Sequence, residues 1–244
     1  LGYIGSDRAN LANLQTGFGQ NANSFQLATA AVFTSATDLH MDAANAGNIT
    51  NWKNRGTPIT GYTIDFDSTT RNGFTPDVGA DEWVDPNYGS WVGKINTDWT
   101  VPANWEANFV PNNTTDVFIT GGYTFMPTIV DTRAVRDITL SNNTPILTLN
   151  GGVLQVHRNI VRTSGNINGS NGTLEMMGTA AQSIPSILFA SNNLKNLVIS
   201  NSHAATGVTL GGILDIYRSV TFTAAGLRLN TGNFLTFKSN DTVT

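Results

Sequence analysis

The chain has 244 residues, 12% of them charged, with a net charge of −4, 24 glycines and no cysteine. Its 13 Lys and Arg residues nowhere cluster, which excludes the basic footprint of a nucleic-acid binder, and the lack of cysteine excludes disulfides, thiolate metal sites and Cys nucleophiles. No run approaches the roughly 18 apolar residues of a membrane span and no signal-peptide pattern opens the chain; with Leu at position 1 it reads as a fragment or processed product whose targeting segment has been removed.

In chain order, residues 1–84 carry a loose pattern with four short motifs: GQNANS (19–24), DLHM (38–41), DFDSTTR (65–71) and PDVGADEW (76–83). In this order they resemble the closing coils of right-handed parallel β-helix proteins exported by Bacteroidota, which end in GQDANS, DLHL, D-x-D-G-x-x-R and DIGADE. Asn21 replaces the Asp of the first motif and Ser68 the Gly of the third, departures that weaken a metal site in those turns. The resemblance implies passage through the type IX secretion machinery, and so an extracellular or cell-surface location.

Asp65, Asp67, Asp77, Asp81 and Glu82 are the densest carboxylates of the chain. Calcium takes six to eight oxygen ligands, and alternate Asp residues in turns supply several. The competing reading has Asp65 and Asp67 holding turns through side-chain to backbone bonds, with Arg71 pairing one of them. His40, His157 and His203 stand far apart and in no metal-ligand spacing.

Residues 85–90, DPNYGS, interrupt every regular pattern and read as a linker. The stretch 91–119 then carries Trp91, Trp99 and Trp105. It resembles the opening of repeat-rich surface proteins of the same bacteria, with W-x-G at Trp91 and Gly93, D-W at Asp98 and Trp99, A-N-W at 103–105, and V-P…D-V-x-I at Val110, Pro111, Asp116, Val117 and Ile119. The run at 178–201 is similar to the AQ…NL-x-I-x-N coils of those proteins. Trp91, Trp99, Trp105 and Tyr88 are candidates for stacking on a glycan if exposed. If buried, they cap the first coil of a stack, which has no neighbour on one side.

From 135 onward the chain repeats itself: VRDITLSN (135–142) returns as LKNLVISN (194–201), and GGVLQVHRN (151–159) returns as GGILDIYRS (211–219). A fixed offset of this size, with copies spanning 135–178 and 194–239, reads as stacked structural repeats. Within each copy, apolar and polar residues alternate between Gly and Asn punctuation, the pattern of strand and turn. The expected fold is all-β: a β-solenoid, specifically a right-handed parallel β-helix, in two segments, 1–84 and 91–244. Tandem antiparallel strands forming a β-sandwich are the alternative for the C-terminal half.

Between 134 and 240 the acids are Asp137, Glu175 and Asp215, about two coils of roughly 20 residues apart. At ~9 to 10 Å even on one face, they are too distant for a retaining carboxylate pair. No G-x-S-x-G occurs. The acid spacing points away from catalysis, and the resemblance to Bacteroidota surface proteins implies a secreted adhesin or structural stalk of the cell surface, a non-enzymatic, rigid repeat protein without a cofactor unless calcium binds. Its partners would be surface polysaccharide or other surface proteins, with no nucleic acid and no membrane insertion. The alternative is the non-catalytic tail and glycan-binding module of a carbohydrate-active β-helix enzyme, a polysaccharide lyase or glycosidase.

Overall fold

The computed structural model describes residues 2–3, 7–8, 30–42, 45–69, 71–73, 75–83, 87–106 and 108–238. GQNANS (19–24) lies outside them. The chain divides into two compact units, Leu1–Trp83 and Val84–Thr244.

In the first unit, β1 (Gly2–Tyr3) pairs antiparallel with β2 (Asp7–Arg8). A short helix, α1 (Ala46–Asn51), starts where the Asn45 side chain accepts from the N–H groups of Gly47 and Asn48, an arrangement that satisfies donors no helical carbonyl reaches. Fully buried Asn48 accepts from Val32 N–H and donates to the Val32 and Asp42 carbonyls. Part of the closing coils expected at 1–84 falls outside the described residues. In the described stretch from 30 to 83, turns, α1 and a Phe33–Met41 bridge stand in place of stacked strands.

The second unit is a parallel β-solenoid of about 6 turns. Its strands are β3 (Tyr88–Ser90), β4 (Asp116–Thr120), β5 (Thr128–Ile129), β6 (Thr132–Val135), β7 (Asp137–Ser141), β8 (Ile146–Val156), β9 (Ile160–Arg162), β10 (Asn166–Met176), β11 (Gln182–Ile184), β12 (Phe189–Ile199), β13 (Val208–Leu210), β14 (Leu214–Phe222), β15 (Leu229–Asn230) and β16 (Leu235–Phe237). One side stacks β3-β4-β7-β9, a second β11-β13-β15, and the long strands stack as β8-β10-β12-β14-β16, with β5 and β6 both on β8. Every strand pair here is parallel. That connectivity replaces the antiparallel sandwich alternative.

Alternation in the sequence becomes a stack of like residues. Leu154, Leu174, Leu197 and Val220 are register partners, as are Val156, Met176, Ile199 and Phe222. The first three of each column are buried, and each such side chain contributes roughly 1.5–3 kcal/mol of burial. The long strands bend at irregular corners, where register shifts fall at 168–173 and 194–196. At the first corner Gly151 has φ +82°, and a Cβ on Gly152 would lie 2.5 Å from the Ile129 carbonyl oxygen of the coil below. Only glycine fits both positions, one for its backbone angle and the other for space.

The coil is the repeating unit, but the 60-residue sequence recurrence is out of phase with it. Val153, Thr173, Asn196 and Ser219 are stacked partners, so successive coils take 20, 23 and 23 residues, 66 in all. GGILDIYRS therefore sits about six residues ahead of the position above GGVLQVHRN. Likewise 135–142 falls on β6 and β7, whereas 194–201 falls on β12. The recurrence copies the alternation and turn grammar of a strand, which any coil can use, rather than an equivalent place in the stack.

Candidate functional site

The three tryptophans come together inside the opening coil of the second unit. Each is 1% exposed; Trp105 meets Trp91 and Trp99 edge-on at centroid distances of 5.0 and 4.6 Å. Trp91 Nε1 donates to the Phe125 carbonyl and Trp105 Nε1 to the Trp99 carbonyl. Tyr88, also buried, stacks on Phe118 at 4.0 Å. A sugar ring needs an open aromatic face, and none of these four offers one. The glycan-stacking expectation for Trp91, Trp99, Trp105 and Tyr88 is thus corrected: they form the capping core. Fully buried Asn104 fixes their loop, accepting from the N–H groups of Ile95 and Asn96 and donating to Asn96 Oδ1 and the Asp98 carbonyl.

The five carboxylates proposed for calcium split into two groups. Asp65, Asp77 and Glu82 are buried and turned onto backbone N–H groups. Asp65 accepts from Asp67, Thr69 and Glu82, Asp77 from Asn54 and Trp83, and Glu82 from Asn72 and Asp77. Lys53 Nζ lies 3.7 Å from Asp77 and donates to the Trp83 carbonyl, and Arg71 lies 3.6 Å from Glu82. With their oxygens so engaged, these three hold the turns of a unit in which few apolar side chains are buried among the described residues. A calcium site built on them is corrected to a structural role.

Asp67 and Asp81 converge instead on His40. One ligand atom from each of the three lies within 4.8 Å of the others. His40 Nδ1 is 2.5 Å from Asp38 Oδ1 and Nε2 is 2.7 Å from Asp67 Oδ2, while Asp81 Oδ2 accepts the Met41 N–H. The hydrogen bond to Asp38, followed by that to Asp67, raises the His40 pKa to about 9. A folded-state value above the ordinary one near 6.5 means that the stability this group contributes is fully present below that value and disappears as pH rises through about 9. In an NMR titration the His40 ring is expected to titrate near 9; a midpoint near 6.5 would show that the two carboxylates do not hold it. D-x-H at 38–40 was the only local signal. The other partners lie 27 and 41 residues downstream in sequence.

On the second unit the densest charges form a ladder. Asp116 and Asp137 are register partners on adjacent coils. Arg136 forks onto Asp116 at 2.6 and 2.8 Å, and Arg158 onto Asp137, where the shortest contact is 2.5 Å. Burial pushes the Asp137 carboxyl up, but Arg158 and the Asn159 donors outweigh it and hold the pKa below its ordinary value. Asp137 therefore stays a carboxylate, which disqualifies it as the proton donor that glycoside cleavage requires. Glu175, on a different sheet, is occupied by Gln155 and Ser200, and Asp215 lies 3.8 Å from Lys238. Sequence reading missed Asp116 as a partner of Asp137, since the pairing exists only through strand register. It also missed Gln182, whose side chain bridges the Val156 and Arg158 carbonyls, Gly178 N–H and Asn201.

The exposed aromatics lie elsewhere. In the first unit, Tyr62 and Phe66 are exposed beside a groove of about 770 Å³ that Ile59, Ile64, Pro76 and Val78 help to line. Among the described residues no helix is long and apolar enough to cross a membrane. The second unit is thus a parallel β-solenoid that carries a ladder of paired charges on β4 and β7. Comparison with protein-family models, curated proteins and solved structures finds no match.

Proposed function

We propose that this chain belongs to a non-enzymatic, secreted protein of the cell surface, an adhesin or stalk in which the solenoid acts as a stiff spacer. The observation that carries this reading is the Asp116–Arg136–Asp137–Arg158 ladder, in which the acids and bases of adjacent coils neutralise one another. An active site would keep a free base or a raised acid there. Mechanically, the stack resists bending because each coil is hydrogen-bonded to the next along its length. Its polar Asn, Ser and Thr faces provide repeated weak contacts that sum through multivalency. Export by the type IX route, implied by the sequence motifs, is part of this proposal.

The reading as a glycan-binding module of a carbohydrate-active enzyme draws on one observation, the exposed rings of Tyr62 and Phe66 beside their groove. A polysaccharide array combined with a product assay tests both readings. The spacer reading predicts neither turnover nor tight glycan binding. Binding lost in Tyr62→Ala or Phe66→Ala would favour the module, and release of unsaturated or reducing-end products would overturn the non-enzymatic reading.

A further inference from the structure

We propose that His40, Asp67 and Asp81 form a binding site for a divalent transition-metal ion, with Zn²⁺ the ion their donors suit. The three ligands come from three separate loops, and their ligand atoms already lie within 4.8 Å of one another. Bonds of about 2.0–2.2 Å to a tetrahedral ion bring such atoms to about 3.3–3.6 Å of each other. Side chains as open as those of His40 and Asp67, 51% and 42% exposed, close that gap by turning slightly.

One imidazole and two carboxylates are the borderline donor set that zinc accepts, whereas calcium requires six to eight oxygens. The neighbouring carboxylates that would complete a calcium shell, Asp65, Asp77 and Glu82, are committed to backbone N–H groups. Asp38 completes the arrangement from outside: holding Nδ1 at 2.5 Å, it orients the ring and leaves Nε2 for the metal, as carboxylates do behind ligating histidines. The ion takes the place of the Nε2 proton, so affinity rises with pH. Charge favours it as well, because Asp38, Asp67 and Asp81 surround a single cationic ring. Bound zinc would tie the DLHM, DFDSTTR and PDVGADEW loops together, a constraint that the proposed function neither requires nor supplies.

The test is calorimetric titration of the untagged, metal-free full chain with zinc chloride, beside calcium chloride. The expected result is one Zn²⁺ per chain, with affinity reduced at least tenfold in His40→Gln and in Asp81→Asn, whose amide oxygen still accepts the Met41 N–H. His203→Gln, in the other unit, should bind as the parent does. Zinc-edge absorption should show nitrogen and oxygen donors at about 2.0–2.2 Å. Absence of saturable uptake, uptake unchanged in both variants, or equal affinity for calcium would overturn the proposal.

Discussion

Replacing Trp105 by Ala is expected to destabilise the second unit by about 3–5 kcal/mol, the range for truncating a large buried aromatic. The loss has three sources. The edge-on contacts with Trp91 and Trp99 disappear, a cavity opens in a cluster whose members are 1% exposed, and the Trp99 carbonyl loses its indole donor. Neighbouring side chains have little room to collapse into the space, since Asn104 and its four hydrogen bonds fix the loop around it. The effect should appear as a lower denaturant midpoint of the strand signal, with glycan binding unaffected. A change below about 0.5 kcal/mol, the size typical of surface substitutions, would mean that the ring is not part of the capping core.

Asp77→Ala should disrupt the first unit about as strongly. The substitution strips the acceptor from the Asn54 and Trp83 N–H groups and leaves the Lys53 ammonium buried beside an apolar methyl. Breaking a buried charge pair by removing one partner costs about 3–5 kcal/mol, a large share of the stability of any small unit. Hydrogen exchange of the amides between 45 and 83 reads this directly. Protection there should fall by orders of magnitude, and unchanged protection would refute the account of the buried carboxylates as the organisers of these turns. Asp77→Asn should be milder, since one carbonyl oxygen remains to accept.

What the sequence revealed of the solenoid is the part that depends on local alternation. The spacing of Leu147, Leu149, Leu154 and Val156 shows which residues face inward, because period two is a property of one strand alone. The phase of the coils was not legible. Successive coils take 20, 23 and 23 residues, so a close match at an offset of 60, such as Leu154 with Leu214, misaligns by about six residues. The tryptophans showed the same limit: their spacing announced a cluster, while the choice between a cap and a binding platform lay in tertiary burial. In the first unit the density of acids was visible. Whether each oxygen met a backbone N–H or open solvent was not, and the convergence of His40 with Asp67 and Asp81 spans three loops.

A solenoid that serves as a spacer should fail under load one coil at a time, because each coil touches only its neighbours. The most direct test is single-molecule pulling of the chain from its two ends. The account predicts successive lengthening steps of about 6–8 nm, the extended length of one 20–23-residue coil at about 3.3–3.6 Å per residue less the ~4.8 Å of height it spans in the stack. A single collapse of the whole second unit at low force would contradict the spacer reading.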